Sequence, residues 1–200
     1  MTQPRRIAVI VGGAILVDRD VAAAKALCQQ YDLVPEFFVC NDKMIDWPEA
    51  AVAVTLHNHK VPRWLKARAR LGLAPHQEVW ANIFNSDRGI THRAEDWRGS
   101  VGLFGVTVAR CKNHKKIVLC GVPMDASQDH YIRKKPWKNC PAFQPAWHGH
   151  LMEIGYYVRS LSGYWTEELL GKPSPEWLRD NCGPMLVRMV PLRTGEMIVK

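Results

Sequence analysis

Residues 7–11, Ile-Ala-Val-Ile-Val, run straight into Gly12-Gly13, and residues 116–121, Lys-Ile-Val-Leu-Cys-Gly, repeat the pattern. A short, unbroken, β-branched apolar run that ends in glycine reads as a strand buried on both faces, the kind found inside a parallel sheet. Working outward, Asp20–Tyr31 places Val21, Ala24, Leu27 and Cys28 on one helical face, with Asp18 or Asp20 as the candidate cap. Glu36–Cys40, Ala51–Leu56 and Glu78–Ile83 read as the second, third and fourth strands. Pro62–Leu71 reads as a basic helix, with Pro62 in its first turn and Gly72 at its end. A further helix over 101–112 follows Arg98–Ser100. Strand and helix alternate, so the expected class is α/β, with a doubly wound, mostly parallel sheet whose strand-end loops share one edge.

The character changes after Pro123. Residues 124–147 carry Pro, Lys, Arg, His and Trp with no steady period, and loops of that length are often lids or binding loops. Helix is expected again over 148–161, then short amphipathic pieces at 166–170 and 175–180, then strand or extended arm at 185–190 and 197–200. The organisation expected is one domain over 1–200: a core at 6–124, a lid-like loop at 124–147, and a helical, loop-rich C-terminal extension at 148–200.

Composition bounds the function. Hydrophobic residues make up 47% of 200, enough for a real core, yet no apolar run approaches the ~18 residues of a membrane span. Residues 1–6 are basic but are not followed by a cleavage-type pattern, so no signal peptide is expected. The six cysteines form no CxxC pair, which argues against a zinc knuckle and fits reduced thiols in a cytoplasmic protein. The net charge of +8 favours anionic partners (nucleotides, phosphates or nucleic acid) or serves solubility alone.

The candidate site residues fall at strand ends and in the lid. Gly12-Gly13 is either a bare tight turn or a loop that lets a backbone approach a phosphate; it is neither GxGxxG nor a P-loop. Asn41 and Asp42 end the second strand, as an Asx turn or as ribose or base contacts. His57 and His59 flank Asn58 after the third strand, where substrate contact or a plain polar loop is favoured over metal because no third ligand is near. Ser100 is an N-cap for the helix opening at Gly99-Ser100-Val101-Gly102, and such an opening also aims N–H groups at phosphate. Arg63, Lys66 and Arg70 share a face of the basic helix, with Arg68 nearby: a solvated face or a phosphate-backbone contact. Arg133, Lys134, Lys135 and Lys138 interleave with Tyr131, Trp137 and Trp147, which suits a sugar, a nucleotide or an unpaired base. His130, His148 and His150 flank the same loop as candidate general bases.

Taken together, the apolar strand with Gly12-Gly13, FFVCND at 37–42, GSVG at 99–102 and KKIVLCGVPMD at 115–125 resemble the Rossmann-type superfamily of bacterial sialyltransferases and 6-hydroxymethylpterin diphosphokinase-like proteins. Small phage and prophage proteins with this core are also similar at TLH, 55–57, and SGYWTEELLG, 162–171. The resemblance covers roughly residues 6–124, and nearly the whole chain for the phage proteins. It implies a Rossmann-like nucleotide-binding fold and a nucleotide-dependent, glycosyltransferase-like transferase with a CMP- or UDP-sugar donor. By position, Gly12, Gly13, Asn41 and Ser100 would hold the nucleotide, with Asp42, Gly102 and Gly121 at the same edge. His148 or His150 would be the general base, and His57, His59, Arg133, Lys134 and Lys135 would meet substrate or phosphate. Where the family's first loop reads Gly-x-Gly-Pro-Ser, this chain has Gly12-Gly13-Ala14-Ile15-Leu16. Two alternatives stand beside the transferase: a diphosphokinase-like enzyme with Mg²⁺ on Asp42 and Asp125, and a non-catalytic protein that binds nucleotide or DNA through its basic surface.

Overall fold

Along the first strand, β1 (Arg5–Val11), successive side chains point to opposite faces, and from Ile7 onward both sets are buried. Ile7, Val9 and Val11 enter one apolar cluster, while Ala8 and Ile10 enter the other. A strand with no wet face must lie between two helical layers, and it does. The computed structural model describes residues 5–82, 88–180, 189–191 and 197–199. Its chain order is β1, α1 (Val17–Gln30), β2 (Leu33–Cys40), α2 (Lys43–Asp46), β3 (Val52–Thr55), α3 (Val61–Arg70), β4 (Glu78–Asn82), β5 (His92–Ala94), α4 (Val101–Cys111) and β6 (Ile117–Cys120). There follow α5 (Gln144–Gly149), α6 (Leu151–Ile154), β7 (Val158–Ser160), α7 (Tyr164–Leu170), α8 (Pro175–Arg179), β8 (Met189–Pro191) and β9 (Met197–Val199).

The sheet runs β7-β6-β1-β2-β3-β4-β5-β9-β8. Strands β1 to β7 are all parallel, the doubly wound Rossmann-like arrangement; β9 joins β5 in parallel at Ala94–Val199, and β8 is antiparallel to β9. From β1 the chain winds outward through β2, β3, β4 and β5, then crosses back by α4 to β6 on the other side of β1. The winding direction therefore reverses between β1 and β6, and the carboxyl ends of those two strands border a topological switch point. Helix α4 fills one layer with Leu103, Phe104, Val106 and Val108, and the other layer is built on Val17, Val21, Val61, Trp64 and Trp177.

Several local expectations need correction. Neither Asp18 nor Asp20 caps α1, which begins after Leu16 with no side-chain cap. Asp20 instead lies in the helix's buried stripe, and its carboxylate accepts the Gly121 N–H at 3.0 Å, tying α1 to the turn after β6. The helix expected over 148–161 is broken. It spans only α5 and α6, and Val158–Ser160 is a strand, because its backbone pairs with Ile117–Leu119. Strand β5 has no signature in the sequence; His-Arg-Ala becomes a strand through pairing with β4. Arg68 is not part of a solvated face: it is 1% exposed. Ile83, Cys182 and residues 185–188, 192–196 and 200 lie outside the described residues. Among the described residues no helix is long and apolar enough to cross a membrane.

Candidate functional site at the switch point

A cavity of about 670 Å³ opens at the carboxyl ends of β1, β2, β3 and β6. Its wall collects Gly12 and Gly13 after β1, Asn41 after β2, His57 after β3, Ser100 and Gly102 at the start of α4, and Gly121 after β6. The long loop after β6 closes the other side with His130, Arg133, Lys135, Trp137 and Phe143. This loop is stitched onto the glycine turn: Ile15 N–H donates to Asp129 O at 2.8 Å and Tyr131 N–H to Gly13 O at 2.9 Å. The first half of the 124–147 loop is therefore tied to the core by its backbone, and α5 already begins at Gln144.

Close packing alone requires these glycines. A Cβ on Gly12 would lie 2.2 Å from Gly121 O, and one on Gly13 would lie 2.8 Å from His130 Nε2. Gly121 itself sits at φ +67°, and Gly102 brings α4 against Val122, whose Cγ1 would be 2.5 Å from an added Cβ. These contacts draw the β1 turn, the β6 turn and the start of α4 around one space.

Ser100 stands at the N-cap of α4 with extended backbone angles, yet its hydroxyl makes no cap bond. The residue is 4% exposed, and its Oγ has no hydrogen-bond partner. The first amide of α4 to reach back is Phe104 N, to Ser100 O at 3.0 Å. Helix geometry therefore leaves the N–H groups of residues 101–103 without an intrahelical acceptor. Buried polar groups nearly always find partners, so an orphaned hydroxyl beside open helix amides marks a place for an acceptor-rich group such as phosphate.

Asn41 is held at φ +50° by its position in the turn after β2. Thr55 Oγ1 donates to Asn41 Oδ1 at 2.8 Å and accepts the His57 N–H at 2.9 Å. This bridge, not foreseen from the sequence, leaves the Asn41 amide NH₂ without a partner among the described residues. Thr55 is wholly buried at the end of an apolar strand, and that polarity was the available signal.

The histidines divide into distinct roles. His57 lines the cavity; partial burial, with Lys60 and His59 adding positive charge, pushes its pKa down, and its ring has no hydrogen-bond partner among the described residues. A neutral imidazole with a free lone pair can act as a base. His130 Nδ1 accepts the amides of Ile132 and Arg133 at 3.2 and 3.3 Å, which places its proton on Nε2, 3.6 Å from Asp42 Oδ2. Its pKa is pushed down by burial and by Arg133, against Asp42. With its lone pair committed, His130 is a donor rather than a base. His148 and His150 do not line the cavity. His148 is exposed and edge-on to Trp165, and His150 stacks on Trp97 at 4.1 Å and meets Glu153 at 3.4 Å.

Of the remaining candidates, Asp42 borders an adjoining cavity, His59 and Lys134 are exposed outside the crevice, and Asp125 lines it. Asp42 is paired with Arg133 at 3.2 Å, and Asp125 accepts from the backbone N–H of Ser127 at 2.7 Å and from its hydroxyl. Among the described residues no three His, Cys, Asp or Glu side chains converge. Set against protein-family models, curated proteins and solved structures, the chain matches none.

Proposed function

We propose that the protein is a nucleotide-dependent transferase, glycosyltransferase-like, with a nucleotide-activated sugar donor in the switch-point crevice. The observation that carries this reading is the buried, unpartnered Ser100 hydroxyl beside the open amides of α4. A donor phosphate there would receive Ser100 Oγ and the amides of residues 101–103, with Arg133 and Lys135 on the lid balancing its charge. The free NH₂ of Asn41 suits a ribose or base oxygen. His57, neutral at pH 7, accepts the proton of an acceptor hydroxyl as that oxygen bonds to the anomeric carbon. The bond from that carbon to the phosphate oxygen breaks, and the nucleotide leaves as an anion held by the same donors.

The test is release of nucleotide from CMP- and UDP-sugars, with water as the acceptor. His57→Ala is expected to slow release by about 10²-fold or more, the usual share of a general base. His148→Ala should stay near wild type. Because the His57 pKa is lowered, the active, deprotonated form persists below the ordinary histidine value, so the acidic limb of the rate profile should fall below about pH 6.5. A His57→Ala protein with the wild-type rate and the same acidic limb removes His57 from the chemistry.

A further inference from the structure

The charge of +8 has a location that the donor site does not use. Arg63, Lys66 and Arg70 are exposed along α3, and Lys134 and Lys138 are exposed on the lid. Among the described residues none of these five has a carboxylate within ion-pair distance. A second cavity of about 320 Å³ lies where α3 meets the lid, and its wall takes Lys60, Arg63 from α3 and Arg133 from the lid. Its apolar lining is Ile45, Trp64, Ala67 and Ile132, and Ile132 is 50% exposed. The one carboxylate there, Asp42, is already matched by Arg133. Asp42 and the Arg133 side chain separate this cavity from the switch-point crevice, since Arg133 lines both.

We propose that this second cavity and its basic flanks bind a single-stranded nucleic acid, with one unpaired base in the apolar pocket and its backbone phosphates along α3 and the lid. Two chemistries are needed for such a ligand, and both are present. Unmatched cations neutralise phosphates, and an apolar slot receives a flat base that no longer stacks in a duplex. Arg63 to Arg70 spans about 10 Å of helix, room for two or three phosphates. A free metabolite would not need cations continuing so far beyond the pocket. Resting on the transferase reading for its chemistry but not for its binding, this makes the nucleic acid the acceptor, held across Arg133 from the crevice that His57 lines.

The experiment is fluorescence anisotropy of the full chain with a labelled single strand of about twelve bases, the scale one small domain covers, without any nucleotide donor. Binding should be saturable, tighter for the single strand than for its duplex, and weakened as salt rises from about 50 to 200 mM. The triple change Arg63→Glu, Lys66→Glu and Arg70→Glu should weaken it at least about tenfold and flatten the log–log salt slope by about two. Ile132→Asp should remove the preference for single strand over duplex. Melting curves of each variant confirm folding, and Lys134→Glu with Lys138→Glu gives an independent loss on the lid side. Absence of binding at low salt, wild-type affinity in the triple variant, a duplex bound as tightly, or inorganic polyphosphate competing equally well would each overturn the proposal. Since no donor is present, failure of the donor site leaves this result untouched.

Discussion

Gly12→Ala is expected to lower the melting temperature by roughly 10 °C, corresponding to about 3 kcal/mol for a chain of this size. The added Cβ would lie 2.2 Å from Gly121 O and 2.8 Å from Gly121 C, both backbone atoms. Neither side can retreat cheaply. Gly12 N–H donates to Cys120 O at 2.8 Å, and Ala14 N–H donates to Gly121 O at 3.1 Å. On the far side Gly121 N–H is fixed by the buried Asp20 carboxylate at 3.0 Å. Relief requires breaking at least one of these bonds or parting β1 from β6 at the site itself. Gly72→Ala is the comparison: no atom lies within 4 Å, and only the φ of +70° opposes a side chain, a penalty of about 1 kcal/mol. Calorimetric melting of the two variants checks the difference; a Gly12→Ala protein as stable as Gly72→Ala would mean that the two turns are not locked.

Arg68→Ala should cost about 4 kcal/mol in urea unfolding, in the range for losing a buried charged group that completes a network. The guanidinium donates to four backbone carbonyls: Trp47 O at 2.6 Å, Ala74 O at 2.6 Å, Glu49 O at 2.9 Å and Met44 O at 3.3 Å. It thereby ties the end of α2, the link into β3 and the chain after α3 into one unit. Removing it strands those carbonyls and leaves a buried void. Arg68→Lys should recover little, because one ammonium cannot reproduce the planar fork. Arg63→Ala, on the exposed side of the same helix, should change stability by less than about 0.5 kcal/mol. A near-neutral Arg68→Ala would show that solvent reaches these carbonyls.

These two residues also mark where the sequence could and could not be read. The runs at 7–11 and 117–120 announced β1 and β6 because strands buried on both faces need unbroken apolar residues. Position relative to those strands was then enough to place Gly12, Asn41, His57 and Ser100 on one wall. Arg68 and Asp20 were legible in hindsight: each occupies a core position in its helix, with Val61 and Trp64 or with Val17 and Ala24, where a charge must be fully matched. Strands β5 and β7 were not legible, since three mixed residues become a strand only through partners distant in sequence. His148 and His150 were misplaced for a similar reason. The path of the long loop decides which histidine reaches the crevice, and the loop folds back over Gly13 to present His130 instead.

The most direct measurement is thermal shift of wild type and Ser100→Ala against nucleoside mono- and diphosphates and CMP- and UDP-sugars. An ordinary N-cap loses about 1 kcal/mol on replacement by alanine. Here the hydroxyl makes no cap bond and is buried without a partner, so the unliganded Ser100→Ala protein should be as stable as wild type or slightly more so. Nucleotide at about a hundred times its Kd should stabilise wild type by about 2.7 kcal/mol, and the variant should need about tenfold more ligand for the same shift. Equal shifts in both proteins, or no shift of wild type by any nucleotide, would contradict a phosphate site at the start of α4.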